Sequence, residues 1–336
     1  MLGLSSKTLK ETLPLYLLGI TVFSLIPLFA SEYIIHVMII TFIYMILASS
    51  LDILVGYTGA LNLGHAAFFA IGAYTSTLLS MRVGVSPWLG LIIGGFLSMI
   101  FGIIIGVPCL RLRGPYLAIS TLGFGVIIYV LLINLEWLTR GPLGIPGIPP
   151  LPGFGSLNFT NRITYYYFAM LMSLTSILIL KLLTISRFGK ILIAIREDEE
   201  AAKAIGVNIA FYRLAAFMIS SFFAGLAGGI YAHYVRYINP DLSALGESIS
   251  VLTKTLLGGF GTIIGPSIGA LVLTFLEELL RPLLEYRFLI YSLIIILIVR
   301  FLPGGLYSIL ARYLSTQHSI LAYFKWWSYG RDLKSK

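Results

Sequence analysis

Apolar residues form long stretches along this chain, and short polar segments separate them. A bilayer core about 30 Å thick requires roughly 20 apolar residues per helix. The pattern therefore predicts an all-α polytopic membrane protein with about ten transmembrane helices, some of them broken. The ten predicted spans cover residues 13–30, 34–55, 61–79, 87–108, 115–135, 164–183, 211–234, 248–264, 266–284 and 288–301.

Basic residues give the orientation of these spans. An even number of crossings puts both termini on one face, and that face carries sixteen Lys and Arg residues against six on the other. Because cytoplasmic loops are enriched in Lys and Arg, both termini are predicted to be cytoplasmic. The chain then divides into a cytoplasmic N-terminus (1–12), a transmembrane domain (13–306) and a basic cytoplasmic tail (307–336) that could contact anionic lipid.

Composition narrows the classes of function. Hydrophobic residues make up 58% of the chain and charged residues 11%, whereas soluble domains have about 25% charged residues. The excess of Lys and Arg on the cytoplasmic face accounts for the net charge of +9, so nucleic-acid binding is not needed to explain it and is not expected. A single cysteine, Cys109, excludes an internal disulfide and a thiolate metal cluster. The four histidines are scattered without ligand spacing, so no metal site is predicted.

Two glycine-rich apolar segments, residues 55–67 and 257–270, occupy comparable places in the two halves of the chain. Each predicts a broken helix. Non-helical backbone at membrane depth is tolerated only where protein buries it or water lines it, and paired interruptions are typical of a transport pathway. Close packing of helices through small residues is the alternative.

Five polar residues in or beside the spans should face a cavity or each other, because a charge at the bilayer centre costs at least about 2.5–3.5 kcal/mol. They are Asp52, Asn62, His65, Thr121 and Lys254. His65 could equally be a neutral imidazole bonded to a helix carbonyl. Asp52 and Lys254 could form an interhelical ion pair, or each could extend to water at an interface. Glu277 and Glu278 mark the outer end of a span and receive no role.

The segment 187–208 is highly charged and follows an apolar span directly. Ile191, Ile195, Ala202 and Ile205 recur at helical spacing, which predicts a short amphipathic helix. Gly206 suits its C-terminal cap and Asn208 the N-cap of the next span. Such a helix could lie on lipid or in a groove of another protein, and its acidic cluster favours the protein.

On the external face of the membrane, the loop 136–163 is rich in Pro and Gly, which excludes a helix over 140–155.

Several motifs in order along the chain resemble one family, the permease subunits of ABC importers for branched-chain amino acids of the LivM type. The segment Glu200-Ala201-Ala202-Lys203-Ala204-Ile205-Gly206 is similar to the cytoplasmic loop pattern of importer permeases. The other matching motifs are Gly56-Tyr57-Thr58-Gly59, Leu63-Gly64-His65-Ala66-Ala67, Arg111-Leu112-Arg113-Gly114, Thr121-Leu122-Gly123-Phe124-Gly125, Ala224-Gly225-Leu226-Ala227-Gly228 and Leu257-Gly258-Gly259. Three positions depart from the family pattern, namely Pro115, Val126 and Lys254.

The resemblance implies a non-catalytic subunit in the cell membrane that binds no cofactor itself. Its partners would be a permease of the LivH type or a second copy, two ATP-binding subunits that hold ATP and Mg, and an extracytoplasmic substrate-binding protein. The chain has no Gly-x-x-x-x-Gly-Lys-Ser/Thr phosphate loop of its own. The loop 186–208 would couple the permease to an ATPase through Arg187, Arg196, Glu197, Glu200, Ala201, Ala202 and Gly206.

The transport pathway would include Tyr57, Gly59, Asn62, His65, Thr121, Lys254, Gly258, Gly259 and Gly261. An amphiphilic zwitterion suits a glycine-lined path in which half-helix N-termini meet its carboxylate. Related permeases carry urea, short amides or sugars, so those substrates stay open, as does an ATP-independent channel. An intramembrane enzyme using His65 or Asp52 is disfavoured, because no Ser/His or paired-Asp arrangement accompanies them.

Overall fold

The structure is a computed structural model that describes residues 21, 23–112, 114–153, 158–280, 292–293, 296, 300 and 304–314. The first and last predicted spans and the basic tail lie largely outside these residues. Within them the helices are α1 (Glu32–Asp52), α2 (His65–Leu78), α3 (Pro87–Cys109), α4 (Pro115–Asn134), α5 (Glu136–Thr139), α6 (Arg162–Ile185), α7 (Arg187–Glu197), α8 (Glu199–Ala204), α9 (Ile209–Val235), α10 (Leu245–Gly258), α11 (Ile264–Leu279) and α12 (Gly305–Leu314).

Six of these helical segments are long and apolar enough to cross a membrane: Glu32–Thr58, His65–Val83, Pro87–Cys109, Pro115–Asn134, Arg162–Ile185 and Ile209–Val235. They coincide with six predicted spans. The predicted spans 248–264 and 266–284 correspond to α10 and α11, which have 14 and 16 residues. The all-α class is therefore confirmed, while ten crossings and cytoplasmic termini stay predictions.

Local chemistry explains where these helices begin. The side chains of Asn161 and Asn208 accept hydrogen bonds from backbone N–H groups in the first turns of α6 and α9, as N-caps do. The N-cap predicted at Asn208 is thus confirmed. Pro115 opens α4 after Gly114, whose φ of 54° a side chain would disfavour. Since proline is favoured in the first turn, the fold accounts for the departure at this position.

Glycines allow α2 to pack closely against α9, which also packs along α3. A Cβ on Gly72 would overlap with the backbone of Gly225, and one on Gly228 would overlap with the carbonyl of Phe69. Ser98 of α3 donates a hydrogen bond to the Phe68 carbonyl over 2.9 Å. Many of the glycines outside the two breaks therefore serve helix packing, the alternative that the sequence left open.

The loop between α4 and α6 folds back on the end of α9. Strand β1 (Ile145–Pro146) pairs antiparallel with β2 (Tyr237–Ile238), and Ile148 donates its N–H to the carbonyl of Arg236. Beyond α5, the described part of the Pro/Gly run holds a three-residue 3₁₀ turn (Gly141–Leu143) and no α-helix, as predicted.

The charged segment 187–208 is two helices and not the single helix that its periodicity predicts. Asp198 interrupts it with extended backbone, and its carboxylate accepts a hydrogen bond from the N–H of Ala201 to cap α8. A short polar side chain that bonds the local backbone competes with helix continuation, which explains the break. Gly206 has a φ of 84° and follows α8, as expected of a cap.

Candidate functional site

The first break lies between a π-helical turn (Ile53–Thr58) that extends α1 and the start of α2 at His65. Tyr57 is buried in the π-helical turn, and Gly59 follows it with a φ of 70°. Nε2 of His65 lies 2.9 Å from Oγ of Ser50. Ser50 precedes Thr58, the last residue of the π-helical turn, by eight residues, or about 12 Å at 1.5 Å per residue. The chain therefore turns back along α1 by about this distance before α2 begins. The break therefore re-enters the bundle.

Thr121 of α4 and Asn62 hold the backbone of this break. Oγ1 of Thr121 accepts a hydrogen bond from the N–H of Leu63 at 3.1 Å. Oδ1 of Asn62 accepts one from the N–H of Gly64 at 2.9 Å. A Cβ on Gly64 would overlap with the Thr121 carbonyl, so only glycine fits there. The structure thus brings together Asn62, His65 and Thr121, three of the predicted pathway residues.

Two buried polar atoms at this break lack a hydrogen-bond partner among the described residues. They are Nδ2 of Asn62, in a residue that is 1% exposed, and Nδ1 of His65, in a residue that is 0% exposed. An unsatisfied buried donor costs about 1–3 kcal/mol. A native protein that keeps such atoms has a reason to do so, for example a ligand or a water molecule that meets them.

The second break lies between α10 and α11, and Asp52 of α1 holds it. Oδ1 of Asp52 accepts the N–H of Gly261 at 2.6 Å, and Oδ2 accepts those of Thr262 and Ile263 at 3.1 and 3.0 Å. Gly259 has a φ of 106°, and Ile263, which is not glycine, has one of 58°. Asp52 therefore fixes the backbone of a turn that has left-handed residues.

The two breaks are in close contact at Gly56 and Gly261. A Cβ on Gly56 would overlap with Oδ1 of Asp52 and with the amide nitrogen of Gly261. Gly258 packs equally closely on Gly265, where α10 ends against the start of α11. The predicted broken segments are therefore adjacent in space, and Gly258, Gly259 and Gly261 belong to one junction with Asp52.

Arg196 of α7 reaches this junction from outside. Its guanidinium donates a hydrogen bond to the carbonyl of Gly56 and lies 5.8 Å from the ring centroid of Phe260, in the second break. A Cβ on Gly59 would come within 3.2 Å of the Arg196 side chain. Arg196 thus contacts both breaks and faces the bundle, whereas the sequence grouped it with residues facing an ATPase.

Lys254 does not pair with Asp52, and it does not extend to an interface. It is 1% exposed, and its Nζ lies 2.9 Å from Oε1 of Glu277 and 2.6 Å from Oγ of Ser250. Nζ also lies 4.4 Å above the ring of Tyr44. Assigning no role to Glu277 was therefore wrong. A lysine in an apolar helix requires a counter-charge, and this requirement is the feature of the sequence that could have indicated a role for Glu277.

The rest of the charged segment presents a surface to solvent. Leu192, Ile195 and Ala202 are buried against the bundle, whereas Ile205 is 79% exposed, so the residues of the predicted apolar stripe do not share one face. Arg213 of α9 anchors α8 through an ion pair with Glu199 at 2.9 Å. The exposed residues include most of the predicted contact set, namely Arg187, Glu197, Glu200, Ala201 and Gly206.

Comparison with known proteins gives the family. The family model described as "Branched-chain amino acid transport system / permease component" matches residues 33–301. The chain is also 34% identical to the high-affinity branched-chain amino acid transport system permease protein LivM of Escherichia coli K12, over 90% of this chain and 76% of that protein. The chain belongs to this permease family and is of the LivM type.

Two other relatives are more distant. LivH of Salmonella typhimurium is 27% identical over 78% of this chain and 90% of its own length. The guanosine ABC transporter permease protein NupQ of Bacillus subtilis is 25% identical over 60% of this chain and 67% of its own length. No solved structure matches the chain significantly. The LivM-type permease is a multi-pass protein of the cell membrane, and its family is one of non-catalytic transport subunits.

Proposed function

We propose that this chain forms a translocation pathway for branched-chain amino acids together with a LivH-type permease or a second copy. Two ATP-binding subunits supply the energy, and an extracytoplasmic binding protein delivers the substrate. The chain itself contributes no catalytic residue and binds no cofactor. The names of its relatives support this assignment, since LivM and LivH are both permease proteins of one high-affinity system.

The contact of Arg196 with both breaks carries the coupling part of the proposal. Arg196 lies on α7, directly before the exposed surface of α8. A displacement of α7 would move its guanidinium against the Gly56 carbonyl and the Phe260 ring. Gly56 lies in the π-helical turn directly before the first break and Phe260 lies in the second break. The displacement would therefore reach the pathway without passing through a long helix.

The break before α2 provides the substrate-facing groups. Nδ2 of Asn62 is a donor, and the N-terminus of a helix carries a partial positive charge. Both features suit the carboxylate of an amino acid. Lys254 is not among the proposed pathway residues, because Glu277 and Ser250 already accept hydrogen bonds from its three N–H donors.

Reconstitution tests the function. The chain, its permease partner and the ATP-binding subunits are placed in liposomes, and uptake of labelled leucine is measured with the binding protein outside and ATP inside. Uptake should require ATP and the binding protein, and excess unlabelled isoleucine should compete whereas guanosine, urea and ribose should not. Leucine flux through the chain without any ATPase would contradict the proposal in favour of a channel.

A surface variant tests the docking step. Ile205→Asp places a charge on the exposed apolar residue of α8 and should abolish co-purification of the ATP-binding subunits. The matched control is Leu143→Asp, because Leu143 is 83% exposed at the opposite end of the bundle. Equal loss of the ATP-binding subunits in both variants, or in neither, would remove α8 from the docking surface.

A further inference from the structure

A cavity of about 320 Å³ opens at the end of the bundle away from α7 and α8. It lies between the start of α1, the start of α6, the end of α9 and the loop that carries β1. In the predicted orientation this end is external. The cavity is separate from both breaks, and the function proposed above makes no use of it.

Two arginines and two histidines, His36 and His233, line this cavity, and none of the described residues that line it is acidic. Both ring nitrogens of His233 are already bonded, to the hydroxyl of Ser76 and the carbonyl of Pro149. The arginines are Arg162 at the start of α6 and Arg236 after α9. Nδ1 of His36 lies 2.7 Å from the hydroxyl of Tyr234, which also lines the cavity. Two positive charges therefore border a space that no described carboxylate lines.

Arg236 is held in place by its own backbone and side chain. Its φ of 61° is unusual for a residue with a side chain, and its carbonyl accepts the N–H of Ile148 at 3.2 Å. Its Nε donates to the carbonyl of Ile148, also at 3.2 Å. No described residue accepts a hydrogen bond from its Nη atoms. Arg236 is the left-handed C-cap residue of α9, so the helix end and the Ile148 contacts together fix where its side chain starts.

Arg162 is paired only weakly. Its Nη1 lies 3.2 Å from Oε2 of Glu32, and these side chains are 52% and 83% exposed. Exposed ion pairs contribute about 0–1 kcal/mol, so another carboxylate can replace Glu32 at small cost. The guanidinium fork is suited to bidentate binding of such a group.

The remaining walls are mostly apolar or aromatic. Phe159, Tyr165, Tyr234, Val235 and Pro150 line the cavity, together with the polar residue Thr160, and its size is at the lower end for small-molecule sites. From the two arginines that line the same cavity and from these walls we infer that the cavity binds a small monocarboxylate with an apolar side chain. The carboxylate contacts Arg236 and Arg162, and the apolar part lies against the aromatic rings. An aliphatic amino acid is one member of this class.

Ligand binding to the full chain in nanodiscs of uncharged lipid tests this inference without ATP or an ATPase, so its outcome is independent of the transport proposal. The probe is labelled 4-methylpentanoate, which is leucine without its amino group, measured by scintillation proximity. Leucine should compete with it, and 3-methylbutylamine, which lacks the carboxylate, should not. Competition by the amine as strong as that by leucine would overturn the carboxylate assignment.

Variants at the two arginines locate the site. Arg162→Gln and Arg236→Gln should each weaken binding at least about tenfold, the size of a lost hydrogen bond to a charged group. Arg236→Lys should restore only part of the affinity, and Glu32→Gln should tighten binding by freeing Arg162. The matched control is Arg82→Gln, because Arg82 bonds to the carbonyls of Trp137 and Leu138 outside the cavity.

Three results would overturn the inference. The first is the absence of saturable binding to the unaltered chain. The second is unchanged affinity in Arg162→Gln, a variant that removes only an exposed ion pair and so leaves the fold intact. The third is displacement of the probe by phosphatidylglycerol in the nanodisc together with failure of leucine to compete, which would assign the arginines to a lipid phosphate.

Discussion

Oδ1 of Asp52 lies 2.6 Å from the amide nitrogen of Gly261, so a carboxylate in the first half of the chain holds the backbone of the break in the second half. The same carboxylate accepts two further N–H groups of that turn. These donors have no helical partner, because α10 ends at Gly258 and α11 begins at Ile264. Asp52 therefore acts as a cap supplied by another helix.

Replacing Asp52 by alanine should unfold the break and lower the stability of the whole domain. Three N–H groups would lose their acceptor, at about 1–3 kcal/mol for the buried one of Ile263 and less for the part-buried ones of Gly261 and Thr262. Asp52→Asn retains one acceptor oxygen and should lie between alanine and the unaltered chain. Cys109 is the sole cysteine and is 1% exposed, so a thiol-reactive dye reports thermal unfolding directly.

The control for this series is Asp241→Ala. Asp241 is exposed and accepts a hydrogen bond from the side chain of Asn239 in the loop after β2. Its removal should leave the midpoint of unfolding unchanged. An Asp52→Ala chain that melts at the same temperature as the Asp241→Ala chain would show that the turn is held by other contacts.

Removing one partner of the ion pair between Lys254 and Glu277 should lower stability, and removing the second partner as well should restore most of it. Glu277→Leu alone leaves the buried ammonium of Lys254 without its ion-pair partner, at a cost of at least about 1–3 kcal/mol. Lys254→Met alone should cost less, because Glu277 is 37% exposed and water can reach it. The double variant Lys254→Met/Glu277→Leu should recover most of the loss, since replacing both partners by apolar groups is often neutral.

Unfolding in increasing concentrations of sodium dodecyl sulfate gives the free energies for this double-mutant cycle. A double variant that is less stable than Glu277→Leu would contradict a paired role. In that case Lys254 would have a function apart from its partner, and the pathway role predicted from the sequence would regain support.

Helix positions were predictable because their signals are local. Apolar runs, Pro87 and Pro115 in first turns, and Asn208 as an N-cap all act within a few residues. The ion pair of Lys254 was not predictable, because its partner is 23 residues away on another helix. Ile205 was grouped with Ile191, Ile195 and Ala202 because one helix was extended through Asp198, and the cap at Asp198 rotates the positions that follow.

The residues of the site could be predicted from the sequence, but the contacts between them could not. Glycine spacing correctly indicated two breaks, and desolvation cost correctly marked Asp52 and His65 as buried polar residues. Which groups they contact depends on how α1 packs against other helices, among them α10 and α11. Arg196 illustrates the limit, since a basic residue in a charged segment gives no sign that it faces inward.

Two glycines test the packing of α2 on α9. Gly72→Ala should lower the unfolding midpoint measured with the thiol-reactive dye, because its Cβ would overlap with the backbone of Gly225. Overpacking of this kind costs about 1–3 kcal/mol. The matched control is Gly123→Ala in α4, where a Cβ meets no atom within 4 Å. It should be neutral or slightly stabilising, and equal destabilisation of the two variants would contradict a close α2–α9 contact.

Arg196→Gln should separate docking from transport. The variant loses the bond to the Gly56 carbonyl and the contact with Phe260, but the exposed residues of α8 are unchanged. Hydrogen bonds to charged groups contribute about 1.5–3 kcal/mol, so leucine uptake should fall by about ten- to a hundredfold. Co-purification of the ATP-binding subunits should be retained, and their ATP hydrolysis should continue without transport.

The matched control is Lys190→Gln, which removes an exposed positive charge from the same helix. It should preserve uptake, because Lys190 does not reach either break. If Arg196→Gln instead lost the ATP-binding subunits while Lys190→Gln kept them, Arg196 would serve the docking surface and not the junction. If Arg196→Gln transported normally, motion of α7 would reach the pathway through other contacts, such as the packing of α7 on the π-helical turn.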